Sequence, residues 1–247
     1  MGRFSGKVMF ITGAGDGMGK ATAVLAAQDG AKIAIFELFS EKAEETKKII
    51  EANGGECICL IGNILNEEQI KDAVEKTIEK FGKIDFLLNN AGIVHNALLH
   101  ETSTEDWNKV IGGCLTSVYY TSKYIIPHMI KQGSGAVVNI SSASGIRVNP
   151  ETPAYSPAKA GVIRLTEYMA MTYAEKGIRT NCICPGMIKT GILRNCSKEY
   201  LAESEKRIPM KRAAEPEEVA RVTCFIFSDE ASYMNGSIVN VDGGVTL

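Results

Sequence analysis

The chain has 247 residues, 45% of them hydrophobic, enough to bury one large α/β core or two small ones. Its 27 Lys and Arg against 29 Asp and Glu are scattered through helical stretches, which leaves no broad basic field for nucleic acid. The longest apolar runs are too short to span a bilayer, and seven cysteines without a Cys-x-x-Cys pair or a secretory leader point to a reducing cytoplasm.

In chain order, the run "KVMFIT" (7–12) reads as a strand and passes through "TGAGDGMGK" into the helical stretch "KATAVLAAQ". "KIAIFE" (32–37) is a second strand; Ser40 then caps a helix that ends near the "NGG" of 53–55. "ECICLI" (56–61) precedes the clearest helix, capped by Asn66, with Ile70, Ala73, Val74, Ile78 and Phe81 on one face and Gly82 at its end. "IDFLLN" (84–89), a long helix over about 104–132, "AVVNIS" (136–141), a helix closed by Gly177, "RTNCIC" (179–184) and "SIVNVD" (237–242) complete the series. The seven strands are apolar enough to be buried on both faces. Cys57, Cys59, Cys182 and Cys184 sit inside these runs as small hydrophobes, and no metal site is expected.

Strands alternating with helices over the whole length imply a parallel sheet covered on both sides. No repeat or linker interrupts the pattern. The expected fold is a single doubly wound α/β domain over 1–247, with its ligand site at the carboxyl ends of the strands.

Gly13, Gly15, Gly17 and Gly19 follow the first strand and open a helix. A turn of this kind brings free backbone N–H groups and the positive end of a helix dipole towards a diphosphate. Glu37 ends the second strand, 18 residues after Gly19, where a carboxylate accepts from ribose hydroxyls and repels a 2′-phosphate. No Lys or Arg lies between Phe36 and Glu41, and Asp16 adds negative charge, so NAD is expected over NADP.

In "AYSPAK" (154–159), Tyr155 and Lys159 are four positions apart on one helical face, and Pro157 places them in a first turn. The same spacing recurs at Tyr119 and Lys123 and decides nothing by itself.

The ordered set "TGAGDGMG", "NNAG" (89–92), "NISS" (139–142), "YSPAK" (155–159), "PGMIKT" (185–190) and "VDGG" (241–244) resembles the short-chain dehydrogenase/reductase family from Thr12 to about Gly244. The resemblance implies a Rossmann-type seven-stranded sheet and catalytic Ser142, Tyr155 and Lys159. Ser142 stands at the family's usual interval of 13 residues before Tyr155, which selects this pair over Tyr119 and Lys123. Tyr119 and Lys123 are left to core or subunit packing in the long helix. The resemblance also implies cofactor contacts from Gly13, Asp16, Gly17, Met18, Gly19, Glu37, Asn63, Ile64, Asn90, Gly92, Tyr155, Lys159, Pro185, Gly186, Ile188 and Thr190. It implies a homotetramer joined through the long helix and the Tyr155 helix.

The assigned roles make physical sense. A free phenol, pKa about 10, is ionised in only about one molecule in a thousand at neutral pH. A cation about 4 Å away, at an effective dielectric of about 20, supplies up to ~4 kcal/mol before desolvation is subtracted. Lys159 thereby poises Tyr155 for proton exchange and reaches the nicotinamide ribose, while Ser142 steadies the substrate oxygen.

The chain departs from the family at Cys114, where an asparagine is common, held near the lysine largely through its main-chain carbonyl at a helix irregularity. Gly112 and Gly113 suggest that the irregularity remains. At Asn63 the family more often has Asp. A variable lid is expected at about 188–212, and Ile146, Val148, Met187, Ile192 and Leu193, with Tyr200, Leu201 and Met210, are candidates for an apolar substrate pocket. Arg147, Asn149 and His95 are candidates for reading a polar group.

The expected activity is NAD-dependent hydride transfer with a lipophilic or cyclic secondary alcohol or ketone, for example a hydroxysteroid. A 3-oxoacyl-carrier-protein reductase is the alternative within the class; such enzymes usually prefer NADPH, which Glu37 disfavours. A catalytically impaired NAD-binding sensor is the alternative outside it. A serine hydrolase is disfavoured by the absence of Gly-x-Ser-x-Gly.

Overall fold

Each of the seven apolar runs forms a strand. The computed structural model describes residues 2–191, 193 and 197–247, apart from the side chains at 198 and 200. It contains β1 (Val8–Thr12), β2 (Lys32–Glu37), β3 (Cys57–Ile61), β4 (Phe86–Asn89), β5 (Gly135–Ile140), β6 (Ile178–Pro185) and β7 (Ile238–Val241). They lie in one sheet in the order β3-β2-β1-β4-β5-β6-β7, all pairs parallel. The order reverses between β1 and β4, so the connections after these two strands leave in opposite directions and open a crevice at their carboxyl ends.

The helices are α1 (Gly17–Gln28), α2 (Ser40–Ala52), α3 (Glu67–Phe81), α4 (Thr104–Ile111), α5 (Ser117–Gln132), α6 (Tyr155–Tyr173), α7 (Lys198–Arg207) and α8 (Pro216–Phe227). The two-residue period of the strands divides the core. Met9, Ile11, Ile33 and Ile35 face Ala23, Ala26, Val219 and Phe227 on one side; Phe10, Ala34, Leu87 and Val137 face Ile70, Val74, Ile125 and Met129 on the other. Burying each such aliphatic side chain contributes about 1.5–3 kcal/mol.

Burial on both faces holds for β1, β2, β4, β5 and β6 but not at the margins. Ile61 of β3 and Asn240 of β7 are exposed, and most residues of both strands are only half-buried, because an edge strand has no neighbour beyond it to complete the helical cover. Ser40 is not a cap either: it is the first residue of α2, and Phe39 holds the cap position without a side-chain bond. The carboxylate of Glu37 organises that turn instead, accepting from the amides of Leu38 (2.9 Å) and Phe39 (3.3 Å).

The long helix is interrupted by a π-helical turn at Gly112–Thr116, between α4 and α5. A β-carbon on Gly113 would come within 2.6 Å of the Ile93 side chain, so glycine lets this turn press against the segment leaving β4. On α5, Tyr119 is half-exposed and Lys123 pairs with Glu67 (2.7 Å), which removes the pair from core packing.

The cap of α3 is as expected: Asn66 accepts from the Gln69 amide (3.1 Å), and Gly82 closes the helix with φ 81°. Asn66→Ala should therefore cost about 1 kcal/mol, lowering the melting temperature by about 2–4 °C. A melting curve superimposable on wild type would show that the helix start is held by other means.

Candidate active site

The crevice at the strand reversal is built around Thr12 and Asn90. Thr12 Oγ1 accepts from the amides of Asn90 and Ala91 (both 3.1 Å), and Asn90 Nδ2 donates to the carbonyls of Thr12 (3.1 Å) and Gly13 (2.9 Å). These bonds fix the glycine-rich loop to the end of β4. Gly13 and Gly17 have φ of 69° and 55°, and Asp16 caps α1 through the Gly17 amide (2.8 Å). A β-carbon on Gly19 would collide with the Gly13 carbonyl and reach 2.6 Å from Asn90 Nδ2. Gly19 thus serves close packing of α1 against the loop; it does not line the cleft.

The cleft has a volume of about 660 Å³, within the range of small-ligand sites. Of the residues expected at a cofactor, Gly13, Asp16, Gly17, Met18, Glu37, Asn63, Ile64, Asn90, Gly92, Tyr155, Lys159, Pro185, Gly186, Ile188 and Thr190 all line it. Two further observations fit an elongated polar ligand. Asn90 Oδ1 is buried without a protein partner among the described residues, and a β-carbon on Gly17 would lie 2.7 Å from Thr190, filling the floor between α1 and the 187–190 segment.

At one end, Glu37 Oε2 accepts from the Gly15 amide (2.9 Å), so the carboxylate that ends β2 also holds the glycine-rich loop. Leu38, Phe39 and Lys42 line this end too, and sequence reasoning missed them. Leu38 and Phe39 directly follow Glu37. Lys42 lies immediately beyond Glu41, in the first turn of α2, with its Nζ 5.2 Å from the centre of the Phe39 ring.

At the other end, β5 delivers Ser142 and α6 starts at Tyr155, with Pro157 in its first turn. Ser142 Oγ accepts from the Ser144 amide (3.1 Å) in a short 3-10 turn, and among the described residues its own hydrogen is donated to no protein group. Lys159 is buried at 3% exposure, donates to the Ile140 carbonyl (2.8 Å), and has its Nζ 5.5 Å from the centre of the Tyr155 ring. Burial works against the charged form. The Tyr155 phenol and the thiols of Cys114, Cys182 and Cys184 offset it electrostatically and hold the lysine above its ordinary pKa.

Cys114 is fully buried within the π-helical turn. Its Sγ donates to the Ile93 carbonyl (3.1 Å) and receives the Ile93 amide (3.3 Å), so one side chain holds both polar groups of a cleft-lining residue. A β-carbon on Gly92 would lie 3.5 Å from Cys114 Sγ and 3.6 Å from Lys159 Nζ, so the thiol and the ammonium both approach the same glycine. Cys182 and Cys184 pack with Val118, Val162 and Ile163, and hydrogen bonding to Cys184 together with burial raises the Cys182 thiol.

The substrate side agrees less well with expectation. Met187 and Leu193 line the cleft, but Ile146 and Val148 do not: they are 44% and 80% exposed, because the 143–153 segment runs across the surface before α6 begins. Ile192 and the side chain of Tyr200 lie outside the described residues, and Met210 is 60% exposed. Ile93 and Val94, immediately after "NNAG", line the cleft instead; their place next to that motif was the available signal. Arg147 donates to the Val245 carbonyl (3.2 Å), Asn149 accepts from the Glu151 amide (3.1 Å), and His95 lies 3.9 Å from Asp106. None of the three lines the cleft.

The pair of hydrogen bonds between Cys114 and Ile93 has a direct test. Cys114→Ala strands two backbone groups and should cost about 1–3 kcal/mol in chemical unfolding. Cys114→Asn, whose amide can both donate and accept, should retain most of that stability. Equal losses in the two variants would show that only the volume of the side chain counts.

Comparison with known proteins gives the same picture. A family model described as enoyl-(acyl carrier protein) reductase matches residues 13–246. The 3-oxoacyl-[acyl-carrier-protein] reductase FabG of Thermotoga maritima is 40% identical over 99% of this chain and 100% of its own. The cyclohexanol dehydrogenase of an Acinetobacter species is 39% identical over 99% and 96%. The crystal structure of levodione reductase superimposes with a TM-score of 0.95 at 35% identity, covering 98% of both chains. With a parallel sheet in this order, a glycine-rich loop at its reversal, and relatives of this kind along its whole length, the chain belongs to the short-chain dehydrogenase/reductase family, oxidoreductases of alcohols and ketones.

Proposed function

We propose that this oxidoreductase uses NAD and acts on lipophilic, preferably cyclic, secondary alcohols and ketones, with Ser142, Tyr155 and Lys159 as its catalytic residues. The observation that carries the proposal is that these three side chains line the same cleft as Glu37 and the glycine-rich loop. Gly13, Gly17, Asn90 and Glu37 would hold the adenosine and diphosphate portion; Lys159, Ile188 and Thr190 would hold the nicotinamide portion. A bound nicotinamide cofactor supplies the hydride acceptor or donor.

The residues of the chain manage the proton. In alcohol oxidation the Lys159 ammonium stabilises Tyr155 as the phenolate, whose Oη takes the hydroxyl proton and becomes neutral, while Ser142 Oγ–H donates to the substrate oxygen. Reduction runs the same steps in reverse.

Apolar side chains at the substrate end, Ile93, Val94, Met187 and Leu193, support a lipophilic substrate. So do two relatives, a cyclohexanol dehydrogenase and a levodione reductase, which are named for cyclic substrates. A hydroxysteroid is the larger member of the same class. Of the lid expected at about 188–212, residues 192 and 194–196 lie outside the described residues; its described start is tied down where the Lys189 amide donates to the Ala214 carbonyl (2.9 Å) and the Ala214 amide to the Met187 carbonyl (3.0 Å). A second reading, 3-oxoacyl-carrier-protein reductase with NADP, is favoured by the Thermotoga maritima relative and by Lys42 at the adenosine end.

A panel of cyclohexanol, hydroxysteroids and a 3-oxoacyl thioester, each assayed with both dinucleotides, separates the two readings. Tyr155→Phe should lower kcat by about 10²–10⁴-fold while NAD still binds; turnover equal to wild type would overturn the catalytic assignment.

Cofactor choice is read separately. Glu37→Gln keeps an acceptor for the Gly15 amide but removes the charge, and should shift the ratio of NADP to NAD affinity by about tenfold towards NADP. Wild-type protein that binds NADP at least as tightly as NAD would remove the basis for NAD.

A further inference from the structure

Three consecutive residues, the last two of β5 and the one that follows it, are each bonded to α6. Asn139 Nδ2 donates to Thr166 Oγ1 (2.9 Å), the Ile140 carbonyl accepts from Lys159 Nζ (2.8 Å), and Ser141 Oγ donates to the Lys159 carbonyl (2.7 Å). Ser142 follows directly. On the other side of β5, Asn89 is the in-register partner of Asn139 and donates to its Oδ1 (2.8 Å), while Thr121 of α5 donates to Asn89 Oδ1 (2.6 Å). The next residue, Asn90, holds the glycine-rich loop.

The four side chains Thr121, Asn89, Asn139 and Thr166 are at most 3% exposed, and none lines the cleft. They form a row with only one consistent direction. The Val162 carbonyl can only accept, so Thr166 donates to it (2.8 Å) and its oxygen is left to receive Asn139 Nδ2. That fixes the Asn139 amide, which in turn fixes Asn89 with its Oδ1 towards Thr121; the Thr121 hydroxyl also lies 3.1 Å from the carbonyls of Ser117 and Val118, but Asn89 Oδ1 is its nearest acceptor, so the bonds along the row are all donated towards α6. A buried row of this kind holds its members tightly only when every polar group is satisfied, and apolar side chains would fill the same layer without that demand.

We infer that Thr121, Asn89, Asn139 and Thr166 form a positioning bridge that sets α6, and with it Tyr155 and Lys159, against Ser142 and the nucleotide loop. The four are positioning residues; they touch neither the cleft nor the reacting atoms. The effect on turnover rests on the oxidoreductase reading above, whereas the geometric effect does not.

Thr166→Val keeps shape and removes the hydroxyl; Thr166→Ser keeps the hydroxyl. With cyclohexanol and NAD as probes, Thr166→Val should lower kcat by about 10- to 100-fold and move the pH–rate profile, with NAD affinity held. Thr166→Ser should restore both. Thr121→Val, at the far end of the row, should act in the same direction and covers the case in which Thr166→Val folds poorly. Crystal structures of the variants give a readout independent of turnover: displacement of Tyr155 and Lys159 from Ser142 supports the bridge. A Thr166→Val protein with a lower melting temperature but unchanged kcat, pH profile and side-chain positions overturns it. Full turnover by Tyr155→Phe would instead strike the oxidoreductase reading, with the bridge then judged by the crystallographic displacement alone.

Discussion

The buried ammonium of Lys159 is the constraint around which the site is arranged. Removing such an ion from water costs several kcal/mol, so its surroundings have to return that energy through a hydrogen bond and nearby electron-rich groups. Here the Ile140 carbonyl accepts its hydrogen bond and the Tyr155 ring lies 5.5 Å away, while the phenol and the thiols of Cys114, Cys182 and Cys184 act against burial in holding it above its ordinary pKa. Each comes from a different part of the fold: the end of β5, the first turn of α6, the π-helical turn and β6. Burying one charge therefore fixes four elements relative to one another.

The sheet makes this convergence possible. Reversal of strand order between β1 and β4 leaves a crevice with no chain crossing it, and parallel strands deliver all their carboxyl ends to that side. One end of the crevice is governed by the Glu37 carboxylate, which ties the glycine-rich loop, Leu38 and Phe39 together. The other end is governed by Lys159. Asn89 and Asn90, adjacent in sequence, connect the two: Asn90 turns to the loop and Asn89 to β5.

Cys114 shows how one small side chain can hold a neighbouring segment by both of its backbone polar groups. A thiol is a weak donor and a weak acceptor, yet it makes both bonds to Ile93. The π-helical turn that presents it depends on Gly112 and Gly113, which lie closer to Leu65 and Ile93 than a β-carbon would permit. The backbone irregularity and the thiol thus form one local device.

The sequence by itself determined the elements and marked the candidates for the chemistry. Hydrophobic runs of strand length, the Asn66 cap, the Gly82 stop and the first-turn Pro157 are local signals, because they reflect each residue's own backbone preferences and periodicity. The motif order likewise marked Ser142, Tyr155 and Lys159, and with them the glycine-rich loop. Only tertiary structure decided which side chains share a cavity. Lys42 enters the cleft through the docking of α2, Ile146 and Val148 turn outward on a surface segment, Gly19 serves packing, and the edge strands lose cover. These outcomes depend on contacts between residues far apart in the chain, which no local preference encodes. The row that runs through Thr121, Asn89, Asn139 and Thr166 is of the same kind: its members are scattered over 78 positions, 89 to 166, and become one hydrogen-bonded unit only when two strands and two helices are in register.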